Sequence, residues 1–251
     1  SVADGELLEI DRWALSRLER LVGRVEKSYD EYEFHVLYHA VHNFCSVDMS
    51  AFYLDVLKDR LYTAPTKSVA RRSAQTAMYR ILDALTRLVA PVLSFTADEI
   101  WKELPGPREE SVHLAGFPRF ETSLLDADLE TRYEKLLAVR SDISKALELA
   151  RIEKRIGHSL DARVLVEAPA GEWQTLLERY RDQLATLLIV SQAELASGLD
   201  VAATGEEVPG LKVRIEKAEG EKCERCWNYA TSVGSDTDHP SICHRCTDAL
   251  K

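Results

Sequence analysis

The chain has 251 residues, 45 % of them hydrophobic, and its 42 acidic side chains outnumber 32 Lys and Arg for a formal net charge of −10. That length supports one large domain or two to three small ones, each with a real core, and so acidic a balance argues against a protein that binds polyanions over its whole surface. No run of about eighteen apolar residues is present and no basic stretch leads into an apolar one at the N-terminus, so neither a membrane-spanning helix nor a signal peptide is expected, and a reducing cytoplasm is the expected setting.

From Asp4 to about Tyr29, Trp13, Leu15, Leu18, Leu21, Val22 and Val25 recur at spacings of mostly three and four, the apolar stripe of a long amphipathic helix. A chain that begins at Ser1 and enters a helix within a few residues is expected to be a piece of something longer. A second helix is expected from Glu33 to Met49, with Phe34, Leu37, Tyr38, Val41, Phe44 and Cys45 inward. Cys45 then reads as a buried, inert thiol, and His35, His39 and His42 as a polar flank rather than a metal site. The run Asp48 to Tyr62 alternates less cleanly and reads as a short helix, then a loop at Pro65. From Thr66 to Val89, Ala70, Ala74, Ala77, Met78, Ile81, Leu82, Leu85 and Leu88 mark a third long helix. It carries Lys67, Arg71, Arg72, Arg80 and Arg87 against Asp83 alone, which is either a phosphate-facing strip or a solvated helix face. Pro91 interrupts it, Thr96 and Glu99 form a capping box for the next helix, and Pro105, Gly106 and Pro107 end that one. Long amphipathic helices joined by short breaks predict an antiparallel bundle.

Ser111 to Phe120 reads as an extended connector. A long helix follows from Asp126 to about Arg155, with Leu129, Tyr133, Leu136, Leu137, Ile143, Leu147 and Ala150 inside and Gly157 as its stop. Its outer cations, Lys135, Arg140, Lys145, Arg151, Lys154 and Arg155, are interleaved with acids, the pattern of a salt-bridged solvated face. Arg163 to Glu167 predicts a strand, Glu172 to about Leu184 a helix with Trp173, Leu176, Leu177 and Tyr180 inward, and Thr186 to Glu194 and Leu211 to Glu219 two more strands. Gly198 to Gly210 between them reads as a polar loop. The expected fold class is therefore mainly α: an antiparallel helical bundle, then a small α/β domain, then a C-terminal four-cysteine zinc module.

That module is the most specific chemical signal in the chain. Cys223, Cys226, Cys243 and Cys246 read Cys-x2-Cys, sixteen residues, Cys-x2-Cys, and two such knuckles supply the four soft tetrahedral ligands of a structural zinc, with no position left open for substrate. Two disulfides or a redox dithiol are the alternatives, and His239 and His244 are weaker candidate ligands. Gly234, Ser235, Asp236, Thr237, Asp238 and Pro240 between the knuckles favour turns and give little to bury, so the metal has to stand in for a core. Four thiolates and one divalent cation sum to about minus two, which Lys222, Arg225 and Arg245, each next to a ligand, can offset.

Several stretches resemble the C-terminal third of bacterial isoleucyl-tRNA synthetase: IDRWAL at Ile10 to Leu15, FCSVDMSAFYLDVLKDRLY at Phe44 to Tyr62, SVARRSAQTA at Ser68 to Ala77, LVAPVLSFTADEIW at Leu88 to Trp101, and the terminal CERCW and CHRC. The helical words are similar to those of valyl and leucyl enzymes too; the four-cysteine end with Trp after its second cysteine resembles the bacterial isoleucyl type. A related finger closes certain DNA glycosylases, but those use an N-terminal proline nucleophile that this chain lacks. The family's catalytic signatures, His-x-Gly-His and Lys-Met-Ser-Lys-Ser, are absent from the sequence. The resemblance thus implies a tRNA-binding part of an isoleucine-tRNA ligase, without amino-acid activation of its own, serving catalytic and editing domains on the rest of the enzyme, where ATP would act. It implies an anticodon-binding bundle over residues 1–122, a junction domain over 123–219 and a zinc-binding module over 220–251.

The implied partner is tRNA(Ile), with no DNA and no membrane. Phosphates would be met by Lys67, Arg71, Arg72, Arg80, Arg225 and Arg245, which fix register, while an aromatic stacks on an unpaired base. Trp227, directly after a zinc ligand, is the expected stacking group; the alternative is that it packs the zinc module onto the α/β domain. Two further readings stand beside this one: a zinc-knuckle module that binds only other proteins, which the acidic charge favours, and the corresponding region of a valyl- or leucyl-type enzyme.

Overall fold

The apolar stripe near the N-terminus folds as α1 (Glu9–Asp30) in a computed structural model that describes residues 1–200 and 203–251. The chain divides into two compact units, Ser1–Leu61 with Thr66–Glu130, and Tyr62–Pro65 with Thr131–Lys251.

In the first unit α1 packs against α2 (Phe34–Asn43), a π-helical run (Phe44–Tyr53) and α4 (Val69–Val89); α3 (Leu54–Thr63) continues the π-helical run. Trp13, Leu15, Leu18, Val22 and Val25 of α1 are buried, and Trp13 meets Phe52 edge-on at 5.3 Å, a geometry that suits the ring quadrupoles. The core also encloses a polar cluster. Asp11 is fully buried and takes the Arg60 guanidinium at 2.6 Å and the Tyr53 hydroxyl at 2.8 Å. The Ser73 hydroxyl donates to it as well, and accepts the Leu8 N–H at 2.8 Å. A buried carboxylate is tolerable only when so fully partnered. A second buried acid, Glu130, accepts from Ser16 and Arg20 and lies 3.6 Å from Arg17.

Past the break at Pro91 lies α5 (Ser94–Glu103), where Ala97, Trp101 and Leu104 form a small core with Ala90 and Val112. The Trp101 indole donates to the Glu109 carbonyl at 2.9 Å, and the Arg108 guanidinium sits 4.6 Å over its ring.

The second unit is built on α6 (Ala127–Ile152), whose first turn belongs to the first unit, and a four-stranded sheet. The strands are β1 (Ala162–Glu167), β2 (Gln192–Leu195), β3 (Ala203–Thr204) and β4 (Lys212–Lys217), in the order β2-β1-β4-β3. β2 runs parallel to β1, and α7 (Glu172–Arg179) and α8 (Leu184–Leu188) form the crossover that a parallel pair requires. Asp142 of α6 accepts the backbone N–H groups of Glu206, Glu207 and Val208 at 2.9, 3.1 and 2.9 Å, which fixes the loop ahead of β4. Burial pushes the Asp142 carboxyl up, but these three bonds and Lys145 outweigh it and hold it below the usual range.

Several local expectations are corrected. The second helix and the one after it are continuous, joined by the π-helical run: Phe44, Met49 and Phe52 are buried, and a five-residue step suits a wider turn than 3.6. Phe34, Tyr38 and Cys45 point outward, because Leu37, Ala40 and Phe44 already fill the inner stripe, and Leu82 of α4 is likewise exposed. α5 opens at Ser94 without a side-chain cap, so Thr96 and Glu99 lie inside its first turns rather than form a capping box. α6 stops before Gly157, with Lys154 in the left-handed region at φ 58°. The apolar run after Leu184 is a helical turn ended by left-handed Ile189, and only Gln192–Leu195 is strand, because Leu184, Leu187 and Leu188 share one helical face. Of the expected loop Gly198 to Gly210, residues 201 and 202 lie outside the described residues, and Ala203–Thr204 pairs with β4.

Candidate metal centre and nucleic-acid interface

The last segment begins with a hairpin, β5 (Glu221–Lys222) with β6 (Tyr229–Ala230), and ends in α9 (His244–Asp248). Gly220 opens it at φ 87°; a Cβ there would stand 2.3 Å from the Ala230 carbonyl carbon, so only glycine lets the two chains approach. In the first knuckle the Cys223 N–H donates to the Asn228 carbonyl and the Trp227 N–H to the Cys223 carbonyl, each at 2.9 Å. The tight loop so formed places Trp227 in the left-handed region at φ 65°. In the second, the Cys246 and Thr247 N–H groups donate to the Cys243 carbonyl at 2.9 and 3.0 Å, and α9 starts there.

The two knuckles bring the sulfurs of Cys223, Cys226, Cys243 and Cys246 within 4.8 Å of one another, and no disulfide joins them. Cys226 Sγ and Cys243 Sγ are 3.8 Å apart, and sulfurs bound tetrahedrally at about 2.3 Å to one zinc would be about 3.8 Å apart. Number, softness and spacing of the donors thus fit a closed tetrahedral zinc. His239 and His244 lie outside this cluster; His244 faces Asp248 at 3.3 Å. Burial pushes the Cys223 thiol up, but the N–H groups of Cys226, Cys243 and Arg225 outweigh it and bring it to about 6. Burial raises Cys243 and Cys246, and Cys226 beside them adds to the rise; the Arg225 side chain, hydrogen-bonded to Cys246, offsets part of it. A divalent cation at the centre reverses that balance, since it favours thiolate over thiol. Among the described residues the apolar side chain buried with the sulfurs is Ile242, with Ala230 and Val233 at the margin.

The cations named from the sequence differ in what they already hold. Arg225 is half-buried and donates to the Thr63 carbonyl at 2.7 Å; Arg245 is exposed. Along α4, Arg80 pairs with Asp4 at 2.6 Å and Arg87 with Asp83 at 2.6 Å, while the exposed Arg72 bonds Gln75 at 3.1 Å. Arg71, half-buried, gives its N–H to the Ser68 hydroxyl that caps the helix. Lys67 is exposed and has no ion-pair partner among the described residues. The indole of Trp227 is 63 % exposed.

Sequence reasoning missed a second aromatic surface. Tyr32, Phe34 and Tyr38 are exposed at the start of α2, with the Tyr38 ring 5.2 Å from His39 and 5.8 Å from His42. The available signal was positional: Leu37, Ala40 and Phe44 complete one helical stripe, which leaves Phe34 and Tyr38 off it.

No helix of the described residues is long and apolar enough to cross a membrane. Residues 11–166 match the model of the anticodon-binding domain of tRNA ligases, and residues 220–249 that of the zinc finger found in FPG and IleRS. Among curated proteins the chain is similar to the isoleucine-tRNA ligase of Syntrophotalea carbinolica, 70 % identical over 99 % of this chain and 27 % of that protein. It is similar to those of Moorella thermoacetica, 49 % identical over 98 % of the chain and 27 % of the relative, and Geobacter sulfurreducens, 50 % identical over 98 % and 26 %. The chain therefore spans about 27 % of the length of these relatives, matching their C-terminal portion.

Proposed function

Since the chain belongs to the family of anticodon-binding domains of tRNA ligases, we propose that it is the tRNA-binding C-terminal part of an isoleucine-tRNA ligase, which positions tRNA(Ile) by its anticodon region for aminoacylation elsewhere in the enzyme. The observation that carries this reading is the order of two matches on one chain, an anticodon-binding domain followed by a zinc finger of the kind found in FPG and IleRS. Residues 1–122 act as the anticodon-binding bundle, 123–219 as a junction and 220–251 as the zinc module. Cys223, Cys226, Cys243 and Cys246 hold one structural zinc, whose part is to fix the two knuckles and with them the backbone of Trp227.

On this reading Lys67, Arg71, Arg72, Arg80, Arg225 and Arg245 meet phosphates, and Trp227 stacks on an unpaired base. The exposure of Lys67, Arg72, Arg245 and the Trp227 indole supports those roles most directly; Arg80 would exchange its pairing with Asp4 for a phosphate. The setting is the cytoplasm, and DNA is not a partner. ATP and isoleucine are handled by the catalytic part, so the 251-residue chain alone gives no isoleucine-dependent exchange of pyrophosphate into ATP. Filter binding with unmodified tRNA(Ile), a non-cognate tRNA and DNA of equal length tests the reading: tRNA(Ile) is retained most strongly and DNA least. Equal retention of all three, or none of tRNA, overturns it.

A further inference from the structure

We propose that a cleft where the end of α6, the end of β4 and the β5–β6 hairpin meet is a phosphate subsite that takes a backbone phosphate of the bound RNA; this rests on the tRNA-binding reading above. The cleft, about 450 Å³, is lined by Arg151, Lys154, Arg155 and Lys217, with Tyr229 and Asp161 among the remaining residues. Four of its lining residues are cations and one is an acid; Glu148 and Glu153 pair with two of those cations, which leaves Lys154 and Lys217 as the source of its positive character on a chain of net charge −10.

Existing contacts sort the four. Arg151 pairs with Glu148, and Arg155 pairs with Glu153 at 2.7 Å and donates to the Ile215 carbonyl at 2.8 Å. Those two hold the cleft's wall. Lys154 and Lys217 are exposed and have no ion-pair or hydrogen-bond partner through their side chains among the described residues. The one lining carboxylate, Asp161, is occupied by the N–H groups of Gly157 at 3.0 Å and His158 at 2.8 Å. Tyr229 is half-buried and adds a hydroxyl donor. Two ammonium groups without partners and a phenol beside two guanidinium groups form a donor-rich, acceptor-poor surface, which suits a phosphate with several oxygens to satisfy.

A second observation is independent of charge. α6 ends at Ile152, and its left-handed residue is Lys154 at φ 58°. Glycine or asparagine usually takes such a position, because a side chain crowds the following carbonyl. At this left-handed turn the chain leaves α6, and Lys154 there lines the cleft together with Arg151, Arg155 and Lys217.

The test is tRNA binding by the 251-residue chain over a salt series. The double variant Lys154→Gln with Lys217→Gln is expected to lose affinity by about tenfold per contact at about 0.1 M salt, and to flatten the salt dependence by about one unit of slope per contact. Because phosphates carry no sequence information, the loss is the same for cognate and non-cognate tRNA. Restoring charge with Lys217→Arg recovers part of the slope. A double variant with parental affinity and slope, and intact zinc content and helical signal, overturns the proposal while the tRNA reading stands; a parent that binds no tRNA overturns both. Titration with inorganic phosphate separates the sources: phosphate that perturbs Tyr229 in the parent while the variants bind tRNA normally identifies a small-anion site and also refutes the RNA contact. If the double variant loses helical signal, Lys217→Gln alone decides, since that residue is exposed at a strand end and makes no side-chain contact that holds the fold.

Discussion

At Trp227 three local constraints converge. The backbone is left-handed at φ 65°, its N–H is tied to the Cys223 carbonyl, and its indole is 63 % exposed. The main chain is thus fixed while the ring stays available, and a ring held in this way loses little freedom when a base stacks on it. Trp227→Ala is expected to weaken binding of tRNA by about 1–3 kcal/mol with little change in salt slope, because stacking involves no counterion release. Arg71→Ala with Arg72→Ala should do the opposite, lowering affinity for every tRNA and flattening the salt slope by about one unit per lost contact. Zinc content measured on the same Trp227→Ala preparation separates a lost stack from a collapsed knuckle. If that variant keeps its zinc and binds cognate and non-cognate tRNA as the parent does, the indole is not the reader, and exposed rings such as Tyr38 on α2 become the next to replace.

Among the elements, what was legible in the sequence followed from period. α1 and α4 announce themselves because Trp13, Leu18, Val22 and Val25, and Ala74, Ala77, Ile81 and Leu88, keep helical spacing and are buried. The π-helical run was opaque because its buried residues step by five between Phe44 and Met49, a period that a 3.6-residue template reads as noise. The run after Leu184 misled for a related reason, since five apolar residues in a row fit a strand or a helical turn equally well. The four cysteines were legible outright, because their chemistry depends on spacing alone. Contacts across long separations were not, and α5 shows what they do. Asp98 accepts from Ser111 at 2.6 Å and pairs with Lys102 at 2.6 Å, joining the helix to the turn at Val112–Leu114. The Lys102 and Ser111 hydrogen bonds bring its carboxyl down to about 2. A carboxyl lowered by folding stabilises the native state above its unfolded pKa and ceases to as the pH falls through its folded one. The stability difference between the parent and Asp98→Asn should therefore be complete above about pH 5, shrink as the pH falls towards 2, and be lost only below that. A difference that persists unchanged to pH 2, or a carboxyl resonance of Asp98 titrating near 4, would refute this.

For the molecule as a whole, the stretches that carried the family resemblance turn out to be packing partners: Asp11 of IDRWAL, Tyr53 and Arg60 of the second stretch and Ser73 of SVARRSAQTA meet in one buried polar cluster. That unit has a core of its own, in which Trp13, Leu15, Tyr53, Leu57 and Leu88 are almost wholly buried. The zinc segment has nothing comparable: beyond the sulfurs its core is Ile242, fringed by Ala230 and Val233. So small an apolar surface cannot offset the entropy of ordering some thirty residues, whereas a structural zinc contributes roughly 10–16 kcal/mol of apparent binding energy at neutral pH. Folding is therefore expected to depend on the metal locally. Chelation should remove about one zinc per chain and abolish amide protection at Cys223, Trp227 and Cys246, while amides within α1 and α4 stay protected and the helical signal is nearly unchanged. The Tyr229 N–H, bonded to the Ser191 hydroxyl at 2.7 Å, should loosen with the module, while the Ser191 hydroxyl keeps its bond to the Leu160 carbonyl. Hydrogen exchange read residue by residue, with and without chelator, distinguishes this outcome from its rival: if every helix loses protection together when zinc leaves, the metal holds more than its own module, and the bundle's core is not sufficient by itself.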